Sequence, residues 1–170
     1  MSISADLLPE WDFEMAATRR TLERIPDDKF DWRPHAKSTT MGALASHTAN
    51  LPQWVNATIN QPYFDLAPVD GPAADPAPPA TSTKQLLAMF DENAAAARRA
   101  IEGASDEAYA QPWSLKKGGT AMFTLPRGVV LRRFFLSHII HHRAQLGVYL
   151  RLNDIPVPAV YGPSADEAPF

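Results

Sequence analysis

Apolar residues recur along most of this chain at steps of three and four, the period of an amphipathic helix with one buried stripe. In the first segment Leu7, Trp11, Met15, Thr18, Leu22 and Ile25 share a face, which predicts a helix from about Ser4 to Arg24. Ser4 or Asp6 can cap it, Pro9 reads as a first-turn proline whose missing N–H costs little, and Pro26 helps to end it. The aperiodic stretch from Asp27 to His35 then reads as a structured connection anchored by Phe30 and Trp32. A second helix is predicted from about Thr40 to Asn60, capped from Ser38, Thr39 or Thr40, with Leu44, His47, Leu51 and Trp54 on its inward face. Pro52 cannot donate to the Thr48 carbonyl, so this helix should bend just after His47.

Between Gln61 and Ala80 the pattern dissolves into Pro62, Pro68, Pro72, Pro76, Pro78 and Pro79, which predicts an extended, partly polyproline crossover rather than helix or central strand. Ser82-Thr83-Lys84-Gln85 then has the capping-box pattern, and Leu86, Phe90, Ala94, Ala97 and Ile101 carry a third helix to about Gly103. From Ser105 to Arg127, two short apolar pieces flank Lys116-Lys117-Gly118-Gly119 and suggest a hairpin-like loop turning at the glycines. The fourth and longest helix runs from Leu125 or Arg127 to about Leu152. Opposite its inward face lies a strip at Leu136, Ile140 and Gly147, to be covered by a second copy or by the tail, whose Ile155, Val157, Val160 and Tyr161 should pack. The expected fold is all-α: four helices in a single domain, 1–170, with a long Pro-rich crossover between helices 2 and 3 and an extended C-terminal tail.

Composition narrows the chemistry. A chain of 170 residues that is 45% hydrophobic can bury one full core without staples. It has no cysteine, so a metal would be held by nitrogen and oxygen ligands, which favours imidazole and carboxylate. With a formal charge of -3 and interspersed ionic residues there is no basic stripe, so nucleic acid is not an expected partner. The N-terminus lacks a basic region followed by an apolar core, and no apolar run approaches the ~20 residues that span a bilayer. The expectation is a soluble cytoplasmic protein with no membrane contact.

The main chemical signal is in the fourth helix. His138 and His142 are four residues apart and project from one helix face about one turn apart, the spacing at which two imidazoles can reach one metal ion. Leu131, Phe134, Gln145 and Tyr149 share that arc, so the rings face inward and need partners. A metal or a hydrogen-bonded core arrangement would satisfy them, and for so short a motif, as for the solitary His47, the core arrangement is the commoner outcome. His141 is turned about 60° from His138, on the side away from His142, which assigns it to a pocket edge or a hydrogen bond. His35 lies in a connection and has no helical reason to point at the site.

Three stretches together resemble the DinB family of bacterial proteins: Trp32-Arg33-Pro34-His35 with inward His47, the run His138-x-x-x-His142-Arg143-Ala144-Gln145, and Ile155-Pro156-Val157-Pro158-Ala159-Val160-Tyr161-Gly162-Pro163-Ser164-Ala165-Asp166-Glu167. The resemblance covers essentially the whole chain, and the run departs from the family only in having Ala144 where Gly is common. It implies a four-helix bundle, frequent homodimers and a divalent metal held by His47, His138 and His142. Three neutral nitrogen ligands would leave positions open for water or substrate, as catalytic sites do. Zinc or nickel leads as the metal, with iron and copper also suited to imidazole. Some relatives are thiol-dependent transferases or isomerases acting with bacillithiol or mycothiol. The implied activity is therefore that of a metal-dependent hydrolase or thiol transferase acting on a small molecule, with a thiol cofactor in the second case. Trp54, Gln145 and Tyr149 are candidate pocket residues, and no catalytic acid or base is assigned. The competing reading is a non-catalytic dimeric stress or binding protein whose histidine site is structural or vestigial.

Overall fold

The protein is described from a computed structural model that covers residues 2–71 and 78–168. Helix α1 (Ile3–Glu23) is capped by Ser2 rather than Ser4 or Asp6, its side chain accepting from the Ala5 N–H at 3.2 Å. Pro9 consequently sits in the second turn, inside the helix, not in the first. Leu7, Trp11, Met15, Thr18, Leu22 and Ile25 are all buried, as their spacing predicts. Ser4 is buried too, its hydroxyl donating to the Ile101 carbonyl at 2.8 Å.

After a short 3-10 turn (Asp27–Lys29), Phe30 locks the connection to α2 (Met41–Asn50). The Gly42 N–H donates to the Phe30 carbonyl at 2.9 Å, and a Cβ on Gly42 would stand 2.5 Å from Phe30 Cδ1 and 2.9 Å from Phe30 Cβ. Phe30 Cβ is fixed to the backbone and cannot swing aside. Gly42→Ala should therefore destabilise the fold by about 1–3 kcal/mol, readable as a lowered urea midpoint with unchanged slope.

Pro52 does more than bend the second helix. It divides it into α2 and α3 (Gln53–Asn60), with Leu51 N–H reaching the His47 carbonyl at 3.1 Å and Val55 N–H reaching Pro52 at 3.1 Å across the break. Helix α4 (Thr83–Gly103) begins at the capping box, Ser82 Oγ accepting from Gln85 N–H at 3.2 Å while Gln85 Oε1 accepts from Thr81 N–H at 2.9 Å. It leads through the short α5 (Asp106–Ala110) into strands β2 (Pro112–Lys117) and β3 (Thr120–Pro126). These form an antiparallel hairpin whose turn needs positive φ at both Gly118 (61°) and Gly119 (76°), the reason glycines stand there.

The expectation of an all-α four-helix bundle is overturned by a third strand. Tyr63–Asp65, read from sequence as part of the crossover, forms β1 and pairs parallel to β2, so the described residues contain a three-stranded mixed sheet ordered β1-β2-β3 and the fold is α/β. Between Pro62 and Pro68 only a few residues keep their N–H groups, enough for a short edge strand. The Asp65 carboxylate fastens it by accepting from Gly118 N–H at 3.0 Å and Gly119 N–H at 2.7 Å. Of the prolines assigned to the crossover, Pro72 and Pro76 lie outside the described residues.

The last long helix is also interrupted. Its α-helical ends, α6 (Arg127–Val130) and α7 (Ser137–Arg151), are joined by a wide π-helical stretch (Leu131–Leu136) in which Ser137 N–H reaches back to the Arg132 carbonyl. Such stretches cluster at functional sites. The core lies between α1, α2, α4 and α7, with α3 also against α4. Leu136 is buried in this core, whereas Gly147 faces Val157, so the tail covers that part of the strip. Asp166 pairs with Arg151 and accepts from Val157 N–H at 2.9 Å, and Glu167 pairs with Arg24 and accepts from Ala159 N–H at 3.0 Å. No described helix is long and apolar enough to cross a membrane.

Candidate metal centre

Three histidines from two elements meet beside the π-helical stretch. His47 comes from the last turn and a half of α2, just before the Pro52 break, and His138 and His142 from the first turns of α7. One ring nitrogen from each lies within 4.8 Å of the other two, and among the described residues no carboxylate joins the group. Ring centroids are separated by 5.2 Å (His47 to His138), 4.8 Å (His47 to His142) and 4.5 Å (His138 to His142). His138 Nε2 and His142 Nε2 stand 2.7 Å apart. The imidazoles of a tetrahedral ion with bonds of about 2.0–2.1 Å present nitrogens about 3.3 Å apart, a value bracketed by these separations. Modest ring rotations would reach it.

Two rings are held from behind. His142 Nδ1 is 2.7 Å from Gln145 Oε1, and His138 is hydrogen-bonded to the Phe134 carbonyl. A second partner of this kind fixes ring orientation and leaves the opposite nitrogen for a ligand role. His47 makes no side-chain hydrogen bond among the described residues and is the most open of the three; it stands at the cleft edge rather than sealed in the core.

The rings share one electrostatic situation. Burial, then the neighbouring His142 and His47, push His138 down to about 4, with the Phe134 carbonyl acting weakly in the opposite sense. His47 is lowered by burial and by His142; His142 is lowered by burial against the opposing hydrogen bond from Gln145. All three are therefore neutral at pH 7, the state a metal requires. The unfolded chain protonates these histidines near 6.5, so below that pH it takes up protons that the folded chain resists. Metal-free protein should lose stability as pH falls from about 6.5 toward 4, where the His138 contribution is complete. Urea midpoints at pH 7 and pH 5 on chelator-treated protein check this, with His138→Gln expected to lose less than wild type over the same interval.

Two cavities meet at this centre, and His47 and Trp54 line both. The smaller, about 190 Å³, also reaches His138. The larger, about 880 Å³, runs along α2 and α3 toward Phe64 and Pro79. Gln145 acts on His142 rather than on either cavity. Tyr149 borders neither; it packs edge-on against Trp32 with centroids 5.5 Å apart and donates to the Thr39 carbonyl at 3.3 Å. His141 is exposed with its ring 5.0 Å from that of His142, and His35 Nδ1 accepts from Lys37 N–H at 3.1 Å within its own turn.

One buried pairing was not read from the sequence. Arg143, next to His142, is buried and reaches Glu14 Oε2 of α1 at 2.7 Å, the Glu14 carbonyl at 3.1 Å and Tyr161 Oη of the tail at 2.6 Å. The signal was present in Glu14, which follows Trp11 by three and precedes Thr18 by four and so falls on the buried stripe of α1.

Fold and site together define a helical protein with a small mixed sheet and a solvent-reaching three-imidazole cluster. The chain belongs to the DinB family, whose model matches residues 1–169. It is 26% identical over 161 residues to the uncharacterized protein YrdA of Bacillus subtilis (strain 168), covering 94% of this chain and 89% of that one. Its fold is similar to that of a DinB-like protein from Bacillus cereus ATCC 10987, with TM-score 0.71 and 19% identity, covering 91% of this chain and 95% of that chain. It is also similar to the DinB-like protein YjoA from Bacillus subtilis, with TM-score 0.69 and 15% identity over 91% of this chain and 96% of that chain.

Proposed function

We propose that the protein is a metal-dependent enzyme of hydrolase or thiol-transferase type, in which His47, His138 and His142 hold one divalent ion. The observation that carries this reading is the convergence of three imidazoles within 4.8 Å at the meeting point of two cavities. A buried structural site would be closed, whereas three protein ligands at a cavity leave room for a further one. When bound, such an ion supplies Lewis acidity, lowering the pKa of a coordinated water or thiol so that it is nucleophilic near neutral pH. Zinc and nickel match a set of three imidazoles with no thiolate, and iron and copper are also suited to it.

The chain's own residues have limited roles in this account. Gln145 and the Phe134 carbonyl orient two rings, and burial keeps all three unprotonated. Trp54, lining both cavities, positions a substrate over the cluster. Protein purified without an affinity tag should contain about one divalent ion per chain, measured by elemental analysis, and should hydrolyse a neutral aryl ester or add a thiol to an electrophile only while the ion is present. Metal-free protein, or turnover indifferent to chelation, contradicts the proposal.

A further inference from the structure

The two cavities that meet at the histidine cluster differ in chemistry, and neither is lined by a charged side chain among the described residues. Apart from His47 and His138, the small one is walled by aromatic rings, Trp54, Trp113, Phe123, Phe134 and Phe135, and by aliphatic side chains such as Leu115. Its rings support one another: Phe123 lies flat on Phe134 at 4.6 Å, and Trp113 packs on Phe123 at 6.2 Å. At about 190 Å³ it is below the ~300–1,000 Å³ of a site for a whole small molecule and suits one part of a ligand. The large cleft is different. Asn50, Gln53, Asn56, Asn60 and Gln61 give it carboxamide groups that donate and accept without net charge, whereas the buried Ser46 hydroxyl is engaged by the Gly42 carbonyl and the Ala80 N–H.

We infer that the site takes a substrate with two parts: an uncharged aromatic or branched aliphatic group seated in the small cavity against Trp54 and Phe134, and a neutral hydrogen-bonding remainder in the large cleft. The inference rests on the histidine cluster being the reaction centre, because His47 and Trp54 stand where the two cavities join and a substrate spanning them would place its linking atoms there. Charge on the seated group is excluded by cost. A carboxylate or phosphate on the apolar end would be desolvated with no cation among the lining side chains to receive it.

Three probes separate the parts: N-benzylacetamide, N-methylacetamide, which lacks the ring, and N-(4-carboxybenzyl)acetamide, which carries a charge on it. Binding to tag-free protein is read by calorimetry, before and after chelation. N-Benzylacetamide should bind at least about tenfold more tightly than either of the others, because ring burial is lost in one and a buried charge is imposed in the other. Leu115→Trp, which fills the cavity, should reduce N-benzylacetamide to the level of N-methylacetamide without changing the latter; Phe123→Ala, which opens it, provides the same comparison if the first variant does not fold. Equal binding of the three probes, or none, in protein that does hold a metal overturns the inference and leaves the metal centre standing. The expected ranking in protein that holds no metal before or after chelation supports the subsite and overturns the metal centre instead.

Discussion

Replacing His138 with alanine is expected to abolish stoichiometric metal while leaving the fold in place. His138 Nε2 is the nitrogen nearest a second ligand, 2.7 Å from His142 Nε2, and two imidazoles alone make a poor site. A loss of more than about a hundredfold in affinity follows, beyond the roughly 10–100-fold that removal of an orienting partner costs. Gln145→Leu, which frees His142 Nδ1 but keeps all three ligands, should fall in that lower range. Far-ultraviolet circular dichroism should be unchanged in both, since none of these side chains is part of the apolar core. Full metal content in His138→Ala would place the ion elsewhere, and collapse of the fold would make the cluster structural.

The second large effect concerns stability. The Arg143 and Glu14 side chains are only 5% and 6% exposed, so Arg143→Met would leave a carboxylate buried without its partner. That should cost about 3–5 kcal/mol and lower the melting temperature by roughly 10 °C. Adding Glu14→Leu should recover most of the loss, because exchanging a whole buried ion pair for apolar groups is often neutral. Tyr161→Phe should cost only about 1 kcal/mol, as the pair survives without the tail's hydroxyl, which donates to Glu14 Oε1 at 2.7 Å. Thermal melts of the single, double and tail variants separate these cases. A single variant as stable as the double would show the pair to be solvated. The network also bears on the site, since Arg143 pins α7 to α1 one residue after His142.

How much of this could be read in advance depended on how local each feature is. The buried stripes of α1 and α4, the capping box at Ser82 and the glycine turn of the β2-β3 hairpin are set by residues within a few positions of one another, and sequence spacing exposes them. The i, i+4 spacing of His138 and His142 is of the same kind. Strand β1 was not legible, because three residues between prolines acquire a strand only through β2, some fifty residues later in the chain. Neither was the π-helical stretch at Leu131–Leu136, where the apolar run looks like continuous helix and tertiary packing decides otherwise. His47 was read as inward from its helical face, and it stands instead at the edge of a cleft, with its ring still against those of His138 and His142. That opening is what turns a core histidine into one that can meet a ligand.

Whether the three histidines share one ion can be decided with a crystal of the tag-free protein, measured on both sides of the absorption edges of zinc and nickel. A single anomalous peak is expected, bonded to one nitrogen each of His47, His138 and His142 at about 2.0–2.2 Å, with at least one further position facing the cavities. A peak bonded to other side chains, or three imidazoles that hydrogen-bond only to each other and to water with no peak between them, would contradict it.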